Sequence, residues 1–314
     1  LTPTIRQGGF FGKLPVAADF VAYHAGGPLG AAWQQWLLDG VSLARERLGD
    51  RWAELYEAFP SYRFLYRAVA TEAAVAGSIV PSRDESGRRF PFSLFVEIAD
   101  ATPSFTETPA GVSPTLEAFE TVADGSDGSI ETLKAGADGL VPGISPAPPV
   151  NDGSVAEIAA ALGNDGSVGR AVVNLVELAH RVSKWEGWTP DFGLRFPLPD
   201  GPTADAAFGL WLGLCRASLG VGEGLPSIFW TKRSGMMDVY YHPPAPLAFL
   251  FLVDHALESD HLYPVHEEEA PRVFLASGAE GEGLAKELLN RDQSVGDLIA
   301  VVERAARTGV HGMS

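Results

Sequence analysis

The sequence predicts an α/β (α+β) protein, with an antiparallel sheet flanked by helices and a second α/β domain after it. Three observations predict this. Short apolar runs at 62–70, 75–80 and 90–98 follow one another at the spacing of an antiparallel meander. A helical pattern at 30–48 precedes them. Beyond a Gly/Pro-rich stretch, strand-like and helix-like patterns alternate again.

The elements follow in order. Gly8 to Pro15 reads as a short strand or turn with Phe10, Phe11 and Leu14 turned inward. Trp33, Trp36, Leu37, Gly40, Val41, Ala44 and Leu48 recur at three- and four-residue spacing, which predicts one buried helix face. Pro114 to Ala123 reads as a helix, and Ile130 to Ala135 as a single turn. Ser154 with Glu157 forms a capping box for a helix to Leu162. Phe192 to Leu198 is a predicted strand and Thr203 to Leu219 an apolar helix. Ser227 to Lys232 and Met237 to His242 predict a hairpin. Pro246 to Ala256 predicts a helix, Val273 to Ala276 a short strand, and Gly281 to Leu289 and Ser294 to Ala306 closing helices. Arg89-Phe90-Pro91-Phe92 and Arg195-Phe196-Pro197-Leu198 resemble one another, the mark expected of an internal duplication.

With 314 residues, the chain has room for about two domains at roughly 100–200 residues each. The expected division is a first domain at 1–140, a linker at 141–153 and a second domain at 154–314. No apolar run approaches the roughly 18 residues a membrane span needs, and no basic region leads into an apolar stretch as in a signal peptide. Membrane insertion is therefore not expected. The lone Cys215 rules out an internal disulfide, which suits a reducing, cytoplasmic setting.

The net charge of −17 repels nucleic-acid phosphates and anionic membranes. It is unevenly spread. Residues 1–100 carry 10 Lys/Arg and 11 Asp/Glu, while residues 101–169 carry 1 and 10. The first hundred residues are thus nearly neutral, and there an acidic partner meets the least repulsion.

No motif offers a reaction centre. Gly8-xxx-Gly12-Lys13 has three residues between its glycines and Leu14 after the lysine, where a phosphate loop needs four and a hydroxyl. His255, His261 and His266, with Glu258, Asp260 and Glu267, lack the rigid spacing of a zinc site. Cys215 sits on an apolar helix face and reads as inert. No catalytic residue, cofactor or metal is expected. What remains is a compact charged loop, Arg83, Asp84, Glu85, Arg88 and Arg89, shaped by Pro81 and Gly87. Its guanidinium groups suit carboxylates or phosphates on a partner. The expected partner surface is Arg83, Asp84, Arg88 and Arg89, supported by Phe10, Phe11 and Lys13, with Trp185 and Trp188 as a second candidate.

Gly9-Phe10-Phe11-Gly12-Lys13-Leu14-Pro15 with Asp19-Phe20, the Trp33/Trp36 helix, and Pro81-Ser82-Arg83-Asp84 with Gly87-Arg88 and Phe90-Pro91 together resemble the TagF (ImpM-type) family. These are accessory proteins of bacterial type VI secretion systems. Val16-Ala17-Ala18 stands where the familiar form has a basic or polar residue and a glycine. The resemblance covers roughly residues 8–125. It implies a longin- or profilin-like first domain and a cytoplasmic regulator that restrains assembly post-translationally. It also implies action through a forkhead-associated-domain scaffold protein of the same system. Two other readings stand beside it: a hydrolase or phosphatase accessory using Asp84 or the His255–His266 region, and a permanent structural subunit.

Overall fold

Nine strands, built mostly from those short apolar runs, form one sheet among the described residues. The structure is a computed structural model. It describes residues 4–67, 73–99, 129–139, 153–163, 167–182, 192–219, 226–231, 235–257, 259–266 and 286–311. The strands are β1 (Thr4–Gly12), β2 (Val21–Tyr23), β3 (Tyr62–Tyr66), β4 (Ala74–Val80), β5 (Phe92–Ala99), β6 (Gly193–Pro197), β7 (Ser227–Thr231), β8 (Met236–Tyr240) and β9 (Leu262–Pro264). Their order in the sheet is β2-β1-β5-β4-β3-β7-β8-β6-β9. Every pairing is antiparallel except β6 with β9. The meander β3-β4-β5 is present, as is the β7-β8 hairpin.

Period-two alternation sends side chains to two buried faces. Phe11, Phe64, Phe95 and Phe229 join one core, and Phe10, Leu65, Val96 and Ile228 join the other. Helices therefore cover both sides. On the first face lie α1 (Pro28–Leu48), α2 (Trp52–Ala58) and α7 (Ala248–Val253). On the second lie α3 (Ile130–Asp138), α4 (Val155–Ala161), α5 (Ser167–Val182), α6 (Ala204–Leu219) and α8 (Val295–His311). An antiparallel sheet covered on both faces reads as near-continuous apolar runs, and the burial of all of β5 shows it.

The α1 stripe is buried as its spacing predicts. Trp33 is fully buried, stacks on Phe64 at 3.9 Å between ring centroids, and donates its indole N–H to Ser93 Oγ at 2.9 Å. Trp36 stacks on Phe229 and donates to Pro244 O at 2.8 Å. Ser154 caps α4 by accepting from Glu157 N. The helix α6 is apolar all round because it lies between α5, α8 and the sheet. Gly213 brings α6 close to α8, where a Cβ would press on the end of the Ile299 side chain.

Some expectations are extended or corrected. The single turn at 130–135 is the longer helix α3, and α2, α5, β2 and β9 are additional. The repeated Arg-Phe-Pro segments sit differently along their strands. One leads into β5, between β1 and β4, and the other lies in β6, between β8 and β9. The expected helix at 114–123, the strand at 273–276 and all but Gly153 of the 141–153 linker lie outside the described residues.

Strands from either side of that linker share the sheet through β3 and β7. A buried ion pair backs this junction. Arg195 of β6 meets its cross-strand partner Asp238 of β8 in a two-point contact, Nε to Oδ1 at 2.7 Å and NH2 to Oδ2 at 2.8 Å. Burial works against the Arg195 charge, but Asp238 outweighs it and holds the guanidinium more firmly protonated than usual. Removing one partner strands the other charge in the core. Arg195→Met should therefore cost about 3–5 kcal/mol in urea unfolding, and Arg195→Met/Asp238→Leu should recover most of it.

Candidate functional site

The residues around Lys13 and those from Pro81 to Phe90 form one platform at the end of β1 and between β4 and β5. Gly12 ends β1 at φ +143, and a Cβ there would collide with Pro91 O, so only glycine lets the two segments touch. Ser82 Oγ donates to Lys13 O at 2.7 Å, and Glu85 N donates to Ala17 O at 3.0 Å. Tyr56 of α2 bonds the Ser82 backbone, its hydroxyl donating to the carbonyl and accepting from the amide.

Asp84 sits at the centre with its side chain fully buried. Its Oδ2 accepts from Lys13 Nζ at 2.7 Å and Arg88 Nε at 2.6 Å. Its Oδ1 accepts from Ser86 N at 3.0 Å, Ser86 Oγ at 2.7 Å and Arg88 N at 2.9 Å. Burial alone would raise the pKa of this carboxyl. The donors from Lys13, Ser86 and Arg88 together outweigh burial and hold it well below the usual carboxylate range. Gly87, at φ +82, turns the loop so that Arg88 can reach back. Arg88 NH2 also donates to Ala18 O at 2.6 Å, fastening the 13–20 loop to the 82–90 loop.

Three rings make the floor. Phe11 stacks on Phe20 at 5.3 Å, and Phe20 meets Phe90 edge-on at 4.8 Å. Lys13 Nζ lies 5.0 Å from the Phe20 centroid, a cation–π contact.

The outer surface has a different composition. Val16 and Phe20 are exposed, 55% and 40%, large fractions for apolar side chains. Arg83 is exposed and has no ion pair among the described residues. The Arg88 side chain is 59% exposed despite its bond to Asp84. Arg89 pairs with Glu57 of α2 at 2.8 Å. Beside the platform a groove of about 540 Å³ lies between Phe20, Phe90, Trp52 and the Val41–Arg45 side of α1.

A family model, the TagF N-terminal domain, Type VI secretion system-associated, matches residues 9–136. Those residues are similar to that domain. Among solved structures, the chain is similar to PA0076 from Pseudomonas aeruginosa PAO1, a crystal structure at 2.05 Å resolution. The likeness has 21% identity and a TM-score of 0.47, and covers 82% of this chain and 98% of that one. No curated protein matches the chain.

Within the matched region the expected partner surface divides in two. Arg83, Arg88 and Arg89 reach the surface, with Arg88 and Arg89 already bonded to Asp84 and Glu57. Phe10, Phe11, Lys13 and Asp84 do not: they are 0%, 5%, 7% and 1% exposed. Their place in the motif is explained by the platform's shape, because both carboxylate oxygens and the ammonium are consumed inside it. Val16 and Phe20 are surface residues that the charge pattern alone does not single out. Trp185 and Trp188 lie outside the described residues.

The platform is also unsuited to bond chemistry. Asp84 has no proton to give at neutral pH and no free lone pair facing solvent. Elsewhere, burial pushes the Cys215 thiol up to about 12, so it carries no thiolate. No group of three potential ligands for a metal ion occurs among the described residues, and Glu258 and Glu267 of the histidine cluster lie outside them. No helix among the described residues is long and apolar enough to cross a membrane.

Asp84→Asn keeps the shape but removes the charge that Lys13 and Arg88 face. It should lower the melting temperature by more than about 5 °C. The pH dependence has a definite sign. From about pH 4 downward the unfolded chain takes up a proton at this carboxyl, and the folded chain does so only at lower pH. The unfolded state then binds more protons, so stability falls as the pH drops below about 4. Wild-type stability measured by urea unfolding between pH 5 and pH 2 should show this acid-side loss, and Asp84→Asn should show less of it.

Proposed function

We propose that the protein is a non-enzymatic, cytoplasmic accessory of a type VI secretion system that restrains assembly by binding another component of the system. The contact surface is the TagF platform, led by Val16, Phe20, Arg83 and Arg88. The observation that supports this most is the Asp84 carboxylate, wholly engaged in holding shape beneath exposed apolar and cationic groups. A rigid loop loses little conformational entropy on docking, which favours recognition. The partner is a forkhead-associated-domain scaffold protein of the same system, as the family resemblance implies. The near-neutral first hundred residues support that choice of face, since the rest of this acidic chain repels an acidic partner.

Substitutions at Arg88 are poor tests because they break the Asp84 network. Val16→Asp/Arg83→Glu changes only exposed side chains. Affinity capture from a host with an active system should recover the scaffold protein with wild type. The double variant should bind it at least about tenfold more weakly, a free-energy difference of about 1.4 kcal/mol, with an unchanged melting temperature. Equal capture by both moves the contact off the platform. Wild type that captures no forkhead-associated protein removes the proposed partner.

A further inference from the structure

A cavity of about 100 Å³ opens on the first face of the sheet, between the end of β8, the start of α7 and the chain that enters β6. Tyr240, Ala248 and Phe251 belong to its buried wall, and His242, Ala245 and His261 stand exposed at its rim. No Asp, Glu, Lys or Arg among the described residues lines it.

The wall is held from behind. Trp36 of α1 donates its indole N–H to Pro244 O at 2.8 Å, and Arg195 NH2 donates to Phe251 O at 3.1 Å. Gly193 N donates to His261 O at 2.8 Å, which ties the Phe192 side of the cavity to the His261 side. The cavity is thus built without a ligand, and filling it demands little ordering of the protein.

Tyr240 is the polar group of the buried wall. It is 7% exposed, and its hydroxyl has no hydrogen-bond partner. Native proteins rarely leave a buried hydroxyl unbonded. Burial holds its pKa well above the usual phenol value, so the proton stays on the oxygen. Gly193 fixes where the hydroxyl lies. The Tyr240 ring crosses that glycine, and a Cβ there would stand 2.7 Å from Cζ, the carbon that bears the hydroxyl. Gly193 follows Phe192 in the chain and is bonded to His261, and both of these line the cavity.

The missing partner sets the chemistry of the ligand. A phenolic hydroxyl both donates and accepts. A hydroxyl on the ligand answers it in either role, so the match does not depend on which way the Tyr240 hydrogen points. The rest of the wall suits an apolar body. A cavity of roughly 150 Å³ holds benzene, so this smaller one suits a body of about five or six heavy atoms. An ionised ligand would lose its hydration and find no opposite charge in the lining. We infer that the β8–α7 cavity binds a small uncharged molecule that carries a hydroxyl on an apolar body. This goes beyond the role proposed for the platform and does not depend on it.

Cyclopentanol and cyclopentanecarboxylate are the probes, one ring bearing a hydroxyl and the other an ionised carboxylate. ¹⁵N-labelled protein is titrated with each near neutral pH, and the backbone signals of residues 192–193, 240–242 and 247–251 are followed. Cyclopentanol should shift them to saturation and give nuclear Overhauser contacts to the Tyr240 ring. The carboxylate should bind at least about tenfold more weakly. Tyr240→Phe removes the hydroxyl without breaking a bond to the protein, and should weaken cyclopentanol about fivefold. Absence of a saturating cyclopentanol shift leaves water as the occupant and overturns the inference. So does a carboxylate that binds as tightly as the alcohol, or a folded Tyr240→Phe that binds cyclopentanol unchanged. The wild-type titrations decide the matter even if the variant fails to fold.

Discussion

A buried carboxylate without partners would not stay ionised, and the N-terminal platform is organised around keeping one ionised. Asp84 is removed from water, so each of its lone pairs must find a donor. The donors come from separate parts of the chain: Lys13 after β1, Ser86 from the turn, Arg88 from both backbone and side chain. Each donor imposes its own condition. Lys13 is itself buried and needs the carboxylate and the Phe20 ring. Arg88 reaches back only because Gly87 takes a positive φ. β1 comes close enough only because Gly12 has no side chain. Residues that look in sequence like a scattered motif are thus one mutually dependent unit, and Arg88 couples it to the exposed loop through Ala18 O.

This division explains how much of the site was legible. Charge, glycine and proline mark the platform's location in the sequence, because those residue types are demanded by a tight, charged turn. They do not say which residues face outward. Lys13 and Asp84 have the composition of a surface and the burial of a core, since a charge pair 71 residues apart in sequence satisfies itself only when the fold closes. Val16 and Phe20 have the composition of a core and stand exposed, because backbone contacts, with the packing of one side of the Phe20 ring on Phe11 and Phe90, fix the loop that holds them.

The fold shows the same boundary between local and non-local information. The α1 stripe, the meander and the Ser154 cap are written in short-range spacing and are present. The stripe of α5, Val168, Ala171, Val172, Leu175, Val176 and Ala179, is equally regular, and a reading centred on strands passes over it. β2 and β9 have only three residues each and no periodicity to detect. Their existence depends on a neighbouring strand offering its edge. The pairing of β3 with β7 also has no local signature, yet it makes one sheet from strands on either side of the Gly/Pro-rich stretch.

The two buried ion pairs illustrate how the number of unused hydrogen-bonding positions decides what a charge can do. At Asp84 the acceptors are filled from five directions, so nothing remains for a ligand and the pair acts only through the shape it fixes. At Arg195 the carboxylate of Asp238 takes two N–H groups and two carbonyls take two more, which leaves one beside a cleft. Both charges are neutralised, and neither provides long-range attraction. Only the second retains a direction in which a new bond can form. Saturation makes the first a fixed support for the loops around it, and the second joins β6 to β8 while keeping one N–H unspent.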